Sequence, residues 1–117
     1  MISSLSSAVS AINAIGKRMA VISNNIANSQ TEGFKKSRAD LKEGESGGVE
    51  VDISVVDTPG PVVTVEENGG IVEKEMSNVD LAEEIPQTII AQTGFEANLK
   101  ILKTEDEMMG TLLDILG

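Results

Sequence analysis

Residues 77–117 read SNVDLAEEIPQTIIAQTGFEANLKILKTEDEMMGTLLDILG. Leu81, Ile85, Thr88, Gln92, Phe95, Leu99, Leu102, Asp106, Met109, Leu113 and Leu116 follow one another in steps of four and three. That spacing predicts one long amphipathic helix over residues 78–116. Asp80 followed by Glu83 gives a D-x-x-E start, close to a capping box. Pro86 removes a helix hydrogen bond and is expected to bend the first turns, and Gly94 is a second weak point. At about 1.5 Å per residue the element is roughly 55 Å long. A chain of 117 residues has no core of that length, so the seam asks for partners from other chains. Thr88 and Gln92 sit where a heptad wants leucine. Buried polar residues at such positions lower stability and fix register, which makes Gln92→Leu a change expected to raise stability and loosen specificity.

A second helical pattern covers residues 2–28. Ile2, Leu5, Val9, Ile12, Met19 and Ile26 form the seam, with Gly16 and Ser23 at its weak positions. Ala8, Ile15 and Ile22 widen the stripe on one flank, and Ser3 or Ser4 can cap the start. The two helices are expected to pair antiparallel, through Leu5, Val9 and Ile12 on one side and Leu99, Leu102 and Met109 on the other.

Between them the pattern changes. SQTEGFKKSRADLKEGESGG (29–48) is polar and ends in glycines, which reads as a loop with a short helical turn near Arg38 to Lys42. VEVDISVV (49–56) alternates, TPGP (58–61) breaks it, and VVTVEE, NGG and IVEKEM follow. This predicts a small sheet of two or three antiparallel strands with a hairpin at NGG. Such a sheet is marginal alone and needs something to pack on. The fold class is mainly α. Residues 1–28 and 78–117 form one helical domain, paired as a coiled coil or bundle, and residues 29–77 are a loop plus a small β insertion.

Composition excludes several functions. The formal net charge is −10, so approaching nucleic acid or an anionic membrane surface gains no counterion-release energy. There is no cysteine and no histidine, which removes thiolate chemistry and the commonest base and zinc ligand. Neither Glu83–Glu84 nor Glu66–Glu67 makes a carboxylate dyad, because neighbours on a helix or strand do not face each other. Asp106 reads as a partner for Lys103 or a polar register-setter. NGG is not a phosphate loop. No catalytic, metal or cofactor residues are assigned. No run approaches the roughly 20 apolar residues of a membrane span. The N-terminal stretch lacks a basic region ahead of its apolar positions and reads as mature structure rather than a cleaved signal. Lys35, Lys36, Arg38 and Lys42 form a basic patch, followed by an acidic middle whose one cation is Lys74. This is either solvated surface or end-to-end complementarity between copies.

The first helical pattern closes in NNIANSQTEGFKKS (24–37). Asn24, Asn25 and Asn28 can satisfy orphan carbonyls at the helix end, and Asn28 can adopt the left-handed cap conformation. Gly33 supplies a turn and Phe34 pins the returning chain. The alternative is that some of these carboxamides bridge to a neighbouring subunit, since each carries donors and acceptors.

Both ends resemble the bacterial flagellar axial proteins of rod and hook. The stretch Leu5 to Lys35 is similar to that family's N-terminal helix running into N-N-[IL]-A-N and a T-P-G-[YF] turn. Ser77 to Gly117 resembles its C-terminal helix, through S-N-V-D-L-A-E-E, A-Q, E-A-N and T-x-D-E-M. Together the motifs cover roughly 70 residues, and the short middle most resembles the proximal-rod members. Glu32 stands where the family has proline, and Phe34 where it has tyrosine. The resemblance implies a non-catalytic structural subunit of the basal-body rod, crossing the periplasm. It implies assembly with copies of itself and other rod proteins, and export through the flagellar apparatus without a cleaved signal. The implied assembly residues are Leu5, Val9, Ile12, Asn24, Asn25, Asn28, Gly33, Phe34, Gln92, Leu99, Leu102, Met109, Leu113 and Leu116. The competing reading is an acidic helical adaptor or export chaperone that holds a partner helix in a groove.

Overall fold

The computed structural model describes residues 2–117, with side chains from Ser4 onward, so the seam place expected for the Ile2 side chain lies outside the described residues. Helix α1 spans Ile2–Ala27 and helix α2 spans Leu81–Leu116. Between them lie β1 (Ser37–Glu43), β2 (Val49–Val55), β3 (Val62–Glu67) and β4 (Gly70–Glu75). The strands form two separate antiparallel hairpins, β1–β2 and β3–β4, rather than one sheet.

Both helices match their patterns in extent, with corrections at their starts. Helix α1 already includes Ser4, so Ser4 does not cap it, and the capping place expected for the Ser3 side chain lies outside the described residues. At α2, Asp80 is the N-cap and its carboxylate accepts from the Ala82 N–H (3.0 Å). The capping box does not close, because Glu83 turns outward to the Lys36 ammonium (3.0 Å). The helix runs on through Pro86 as one element.

The helices pack antiparallel. Near the middle, Ile15 Cδ1 lies where a Cβ on Gly94 would approach to 3.3 Å. Toward the α1 C-terminus, Ile22 and Asn25 share a cleft with Glu84. The core is small: Ile15, Ile22 and Ala91 are buried, with Met19, Ile26 and Phe95 packed against them. The α2 residues turned inward are Glu84, Thr88, Ala91, Phe95, Asn98, Leu102 and Glu105. Their steps of four and three make a heptad stripe that shares Thr88, Phe95 and Leu102 with the expected seam but replaces its other rungs by their neighbours. Ile85, Gln92, Leu99 and Met109 are exposed. On α1 the line runs through Ala8, Ile12, Ile15, Met19, Ile22 and Ile26, so the residues read as a flank are the centre. Close antiparallel approach favours the narrower side chains Ala91 and Gly94 at the contact, and the bulkier apolar residues are left outside.

Residues 37–43, expected as a loop with a helical turn, are a strand. Alternation in SRADLKE is weak, and β2 supplies the missing instruction: Ala39 faces Ile53 and Leu41 faces Val51, while Lys42 faces Glu50 on the other side. Such cross-strand pairs are the unit of sheet stabilisation. The turn of the second hairpin is as read from NGG. Asn68 (φ 55°) and Gly69 (φ 78°) both take the left-handed region, which is the type I′ geometry of a two-residue hairpin loop.

The molecule is elongated, 81 × 25 × 19 Å. Helix α2 accounts for about 54 Å. Hairpin β3–β4 packs on no other helix or strand among the described residues. At about 3.4 Å per residue its six-residue strands add roughly 20 Å.

Candidate assembly surface

The asparagine-rich end of α1 is where the chain's segments are joined. Asn25 is 1% exposed. Its Nδ2 donates to the Ser37 carbonyl (2.8 Å), and its Oδ1 accepts from the Ser37 N–H (3.0 Å). One carboxamide thus satisfies both backbone groups of the first β1 residue, as a neighbouring strand would. Asn28 works on the helix end: its Nδ2 donates to the Asn24 carbonyl (2.9 Å), and its Oδ1 accepts from Thr31 Oγ1 (3.0 Å). Asn28 does not adopt the left-handed conformation, since Asn68 is the one non-glycine residue with positive φ among those described. A carbonyl already held by a side chain needs no left-handed cap. Asn24 receives that bond and is exposed.

A turn follows. The Phe34 N–H donates to the Thr31 carbonyl (3.2 Å), and Gly33 at the third position has φ 70°. This is a type II turn, which requires a positive φ at that position and favours proline at the one before. Glu32 occupies that place and its carboxylate reaches Lys74 (3.5 Å). Phe34 is half-buried, and its carbonyl accepts from the Asn78 N–H (3.2 Å).

Asn78 is the central fastener and was not singled out from the sequence. Its Oδ1 accepts from the Lys36 N–H (2.7 Å), while its Nδ2 donates to the carbonyls of Val56 and Thr58 (2.9 Å each). Three chain segments meet at one side chain. Beside it, Lys35 pairs with Glu75 and donates to the Thr58 carbonyl (3.1 Å). The Gly60 N–H donates to Glu75 Oε1 (3.0 Å). The Lys35 bond, and then the Gly60 N–H, hold the Glu75 carboxyl below its usual range. A Cβ on Gly60 would lie 2.0 Å from the Met76 carbonyl oxygen, so no other residue fits this crossing without a backbone shift. Lys74, bonded first to Glu67 and then attracted by Glu32, is held above the usual lysine range. The only sign of these roles in the sequence was S-N-V-D-L as a string; the partners are distant in sequence, and no local pattern shows them.

The rest of the site is what the fold leaves uncovered. Every residue from Asp106 to Gly117 is exposed. Leu113 is 67% exposed and Leu116 84%. Leu81, Ile85, Ile89, Ile90, Leu99, Ile101, Met108, Met109, Leu112 and Ile115 are exposed as well. Leu5, Ile12 and Leu102 are half-buried, and Val9 is exposed. Gln92 is exposed and lies near Glu96 (3.4 Å). It therefore cannot set the register between α1 and α2, and the expected gain from Gln92→Leu within the chain does not follow. Asp106 is exposed too and sets no register between α1 and α2.

A cleft of about 470 Å³ lies between α1, β1 and the head of α2. It contains Glu84, 5% exposed, whose Oε2 has no hydrogen-bond partner. Among the described residues no group of three or more His, Cys, Asp or Glu is placed to hold a metal. Among the same residues no helix is long and apolar enough to cross a membrane.

The geometry defines a class: an extended helical hairpin, fastened at one end by carboxamides, with a long apolar face and a bare helix end. Comparison with known proteins is more specific. Residues 5–35 match the family described as flagella basal body rod protein, and residues 70–115 match the flagellar basal body rod FlgEFG protein C-terminal family. The chain is 49% identical over 41 residues to the flagellar basal-body rod protein FlgG of Bacillus subtilis, covering 35% of this chain and 16% of that protein. It is 46% identical over 41 residues to the flagellar hook protein FlgE of Treponema pallidum, covering 35% and 9%. To the Escherichia coli flagellar hook protein FlgE it is 39% identical over 41 residues, covering 35% and 10%. The matched segment is a sixth or less of those relatives' length. Each end of the chain thus matches a model of flagellar basal-body rod proteins, one over residues 5–35 and the other over residues 70–115.

Proposed function

We propose that this chain is a structural subunit of the flagellar rod, in its proximal part, and that it assembles with copies of itself and other rod proteins through its terminal helices. The observation that carries this reading is the uncovered face of α2. Fully burying one leucine-sized side chain is worth roughly 1.5–3 kcal/mol. Leu81, Ile85, Leu99, Met109, Leu113 and Leu116 are all exposed, so α1 does not cover them. So many exposed large apolar side chains along one helix mark an interaction surface. The short middle, two hairpins without a further domain, supports the proximal rod over the hook. The same reading makes the flagellar export apparatus a partner and the basal body the destination.

The test is to look for the chain in purified basal bodies and to delete its gene. Loss of motility together with recovery of the chain in the rod fraction is expected. Absence from basal bodies with motility intact would overturn the reading. Leu113→Asp sharpens it. At 67% exposure this side chain contributes little to the fold. The variant should keep its helix content by circular dichroism and its urea midpoint while abolishing rod incorporation. Unchanged motility would mean that the C-terminal stripe is no assembly surface.

A further inference from the structure

An asparagine can lose its carboxamide to its own backbone, when the nitrogen of the following residue attacks the side-chain carbon. The chain has seven asparagines: Asn13, Asn24, Asn25, Asn28, Asn68, Asn78 and Asn98. In six of them the nitrogen that would attack is already engaged. The residues after Asn13, Asn24, Asn25 and Asn98 lie inside α1 or α2, where the N–H groups are tied into the helix. After Asn28 the Ser29 N–H donates to the Ile26 carbonyl (3.2 Å), and after Asn78 the Val79 N–H donates to Ser77 Oγ (3.2 Å). Asn25, Asn28, Asn78 and Asn98 also have the carboxamide itself bonded.

Asn68 differs on every count. It is followed by glycine, which has no side chain to hinder the approach. Both residues are exposed, and a Cβ on Gly69 would meet nothing within 4 Å. The Gly69 N–H donates to no carbonyl among the described residues.

We propose that Asn68 is a site of spontaneous deamidation, through a cyclic imide formed with Gly69. The Gly69 nitrogen gives its proton to solvent base and bonds to Asn68 Cγ. The Cγ–Nδ2 bond breaks, and ammonia leaves with a proton taken from solvent. One water molecule then opens the five-membered ring. Attack at Cγ leaves aspartate, and attack at the main-chain carbonyl carbon leaves isoaspartate, whose backbone runs through Cβ and Cγ. Nothing is oxidised or reduced.

The fold sets both the rate and the result. Ring closure brings the Gly69 nitrogen into eclipse with Asn68 Cβ, and the type I′ turn holds the two far from that arrangement. The tip must therefore open first. Hairpin β3–β4 packs on no other helix or strand among the described residues, so opening disturbs only its own ladder. The aspartate product keeps the turn, because Asp-Gly suits type I′ as Asn-Gly does. Isoaspartate adds one atom to the main chain of a two-residue loop whose length fixes the register. Either product places a further negative charge beside Glu66 and Glu67.

The test ages the full-length chain at neutral and at mildly alkaline pH and follows each asparagine by peptide mapping and mass spectrometry. Asn68 is expected to convert ahead of the other six, and faster at the higher pH, since the attacking nitrogen must lose a proton. Isoaspartate methyltransferase should label the aged chain and leave Asn68→Gly unlabelled, a variant whose Gly-Gly loop still suits the turn. In the isoaspartate fraction amide-exchange protection should be lost in β3–β4 and kept in β1–β2. Conversion at Asn24 or Asn28 ahead of Asn68 would overturn the proposal. So would an Asn68 that stays intact while the hairpin amides exchange freely. Unchanged protection of β3–β4 in the isoaspartate fraction would overturn the consequence drawn for the turn.

Discussion

Hairpin β1–β2 lies along α1 and is bonded to it at both ends. Hairpin β3–β4, with strands only one residue shorter, packs on no other helix or strand among the described residues and is held at its base. At the first hairpin's base Asn25 grips Ser37, and at its tip the Val49 N–H donates to Ser10 Oγ (3.0 Å). Ser10 and Asn25 are 15 residues apart on a helix, about 22 Å, and a seven-residue strand spans about the same distance. The hairpin is thus matched in length to the helix under it. Ala14 and Ala39 are buried between or beside them. In the second hairpin Val62 and Ile71 are 61% and 79% exposed. An isolated two-stranded hairpin is marginal in water, so its order must come from its turn and from the fastening around Glu75 and Gly60. A strand's apolar content, then, did not decide its burial. The valine-rich second hairpin is bare, and the hairpin of the charged SRADLKE strand is packed, because a buried carboxamide receives that strand at Ser37 and a hydroxyl receives its partner strand at Val49.

Four substitutions put that contrast under strain. The largest effect is expected at Gly60. With a Cβ 2.0 Å from the Met76 carbonyl oxygen, Gly60→Ala must displace backbone, at a cost of about 3 kcal/mol. Urea unfolding measures it, and amide exchange should show protection lost first in β3–β4. Equal loss in both hairpins would erase the distinction drawn between them. Next comes Asn25→Ala. It leaves the Ser37 N–H and carbonyl without partners in a buried place, costing about 2 kcal/mol. Here protection should be lost in β1 and β2 and kept in β3 and β4.

Acid separates the hairpins more gently. Glu75 is held below its ordinary value of 4.5 by Lys35 and the Gly60 N–H. Its contribution is therefore complete above the unfolded value and lost as pH falls through the lower folded value. Exchange in β3–β4 should accelerate below about pH 4 and flatten in Glu75→Gln, whereas Ser37 should not respond. The smallest effect is a gain. Glu32 is at the turn position that proline prefers, and Glu32→Pro should stabilise the chain by about 0.4–1 kcal/mol. Removing the exposed ion pair between Glu32 and Lys74 offsets part of this gain. A lowered urea midpoint would contradict the type II assignment.

The helices and the NGG turn were legible because their signals are local. A period of three and four marks α1 and α2, and Asn-Gly marks a reversal with positive φ. The face each helix buries was less legible. Helix α2 carries two interleaved stripes of the same period, and apolar size pointed to the wrong one. Leu99 and Met109 outweigh Asn98 and Glu105 on any hydropathy scale, yet the smaller and more polar line meets α1. A single sequence does not say which stripe is for the chain itself and which is for its neighbours. Strand β1 was missed because what makes it a strand is at Asn25 and Val51, far from it in sequence. Asn24, Asn25 and Asn28 looked alike on paper and do three different things, since a carboxamide's role is fixed by what faces it.

Asn78 has a consequence for how the chain can be altered. It ties the segment leaving α1, the crossing between the hairpins and the segment entering α2 within a few residues of one another. Beyond that fastening, the second hairpin hangs from two adjacent strand ends and reaches its reversal at Asn68–Gly69, clear of both helices. Mechanically, this is a socket with its load path closed beneath it. Polypeptide spliced in at the reversal would enter and leave at neighbouring points and transmit little force to the helical register. Cargo such as an epitope, a fluorophore-binding loop or a whole folded module could be carried there clear of the two helices.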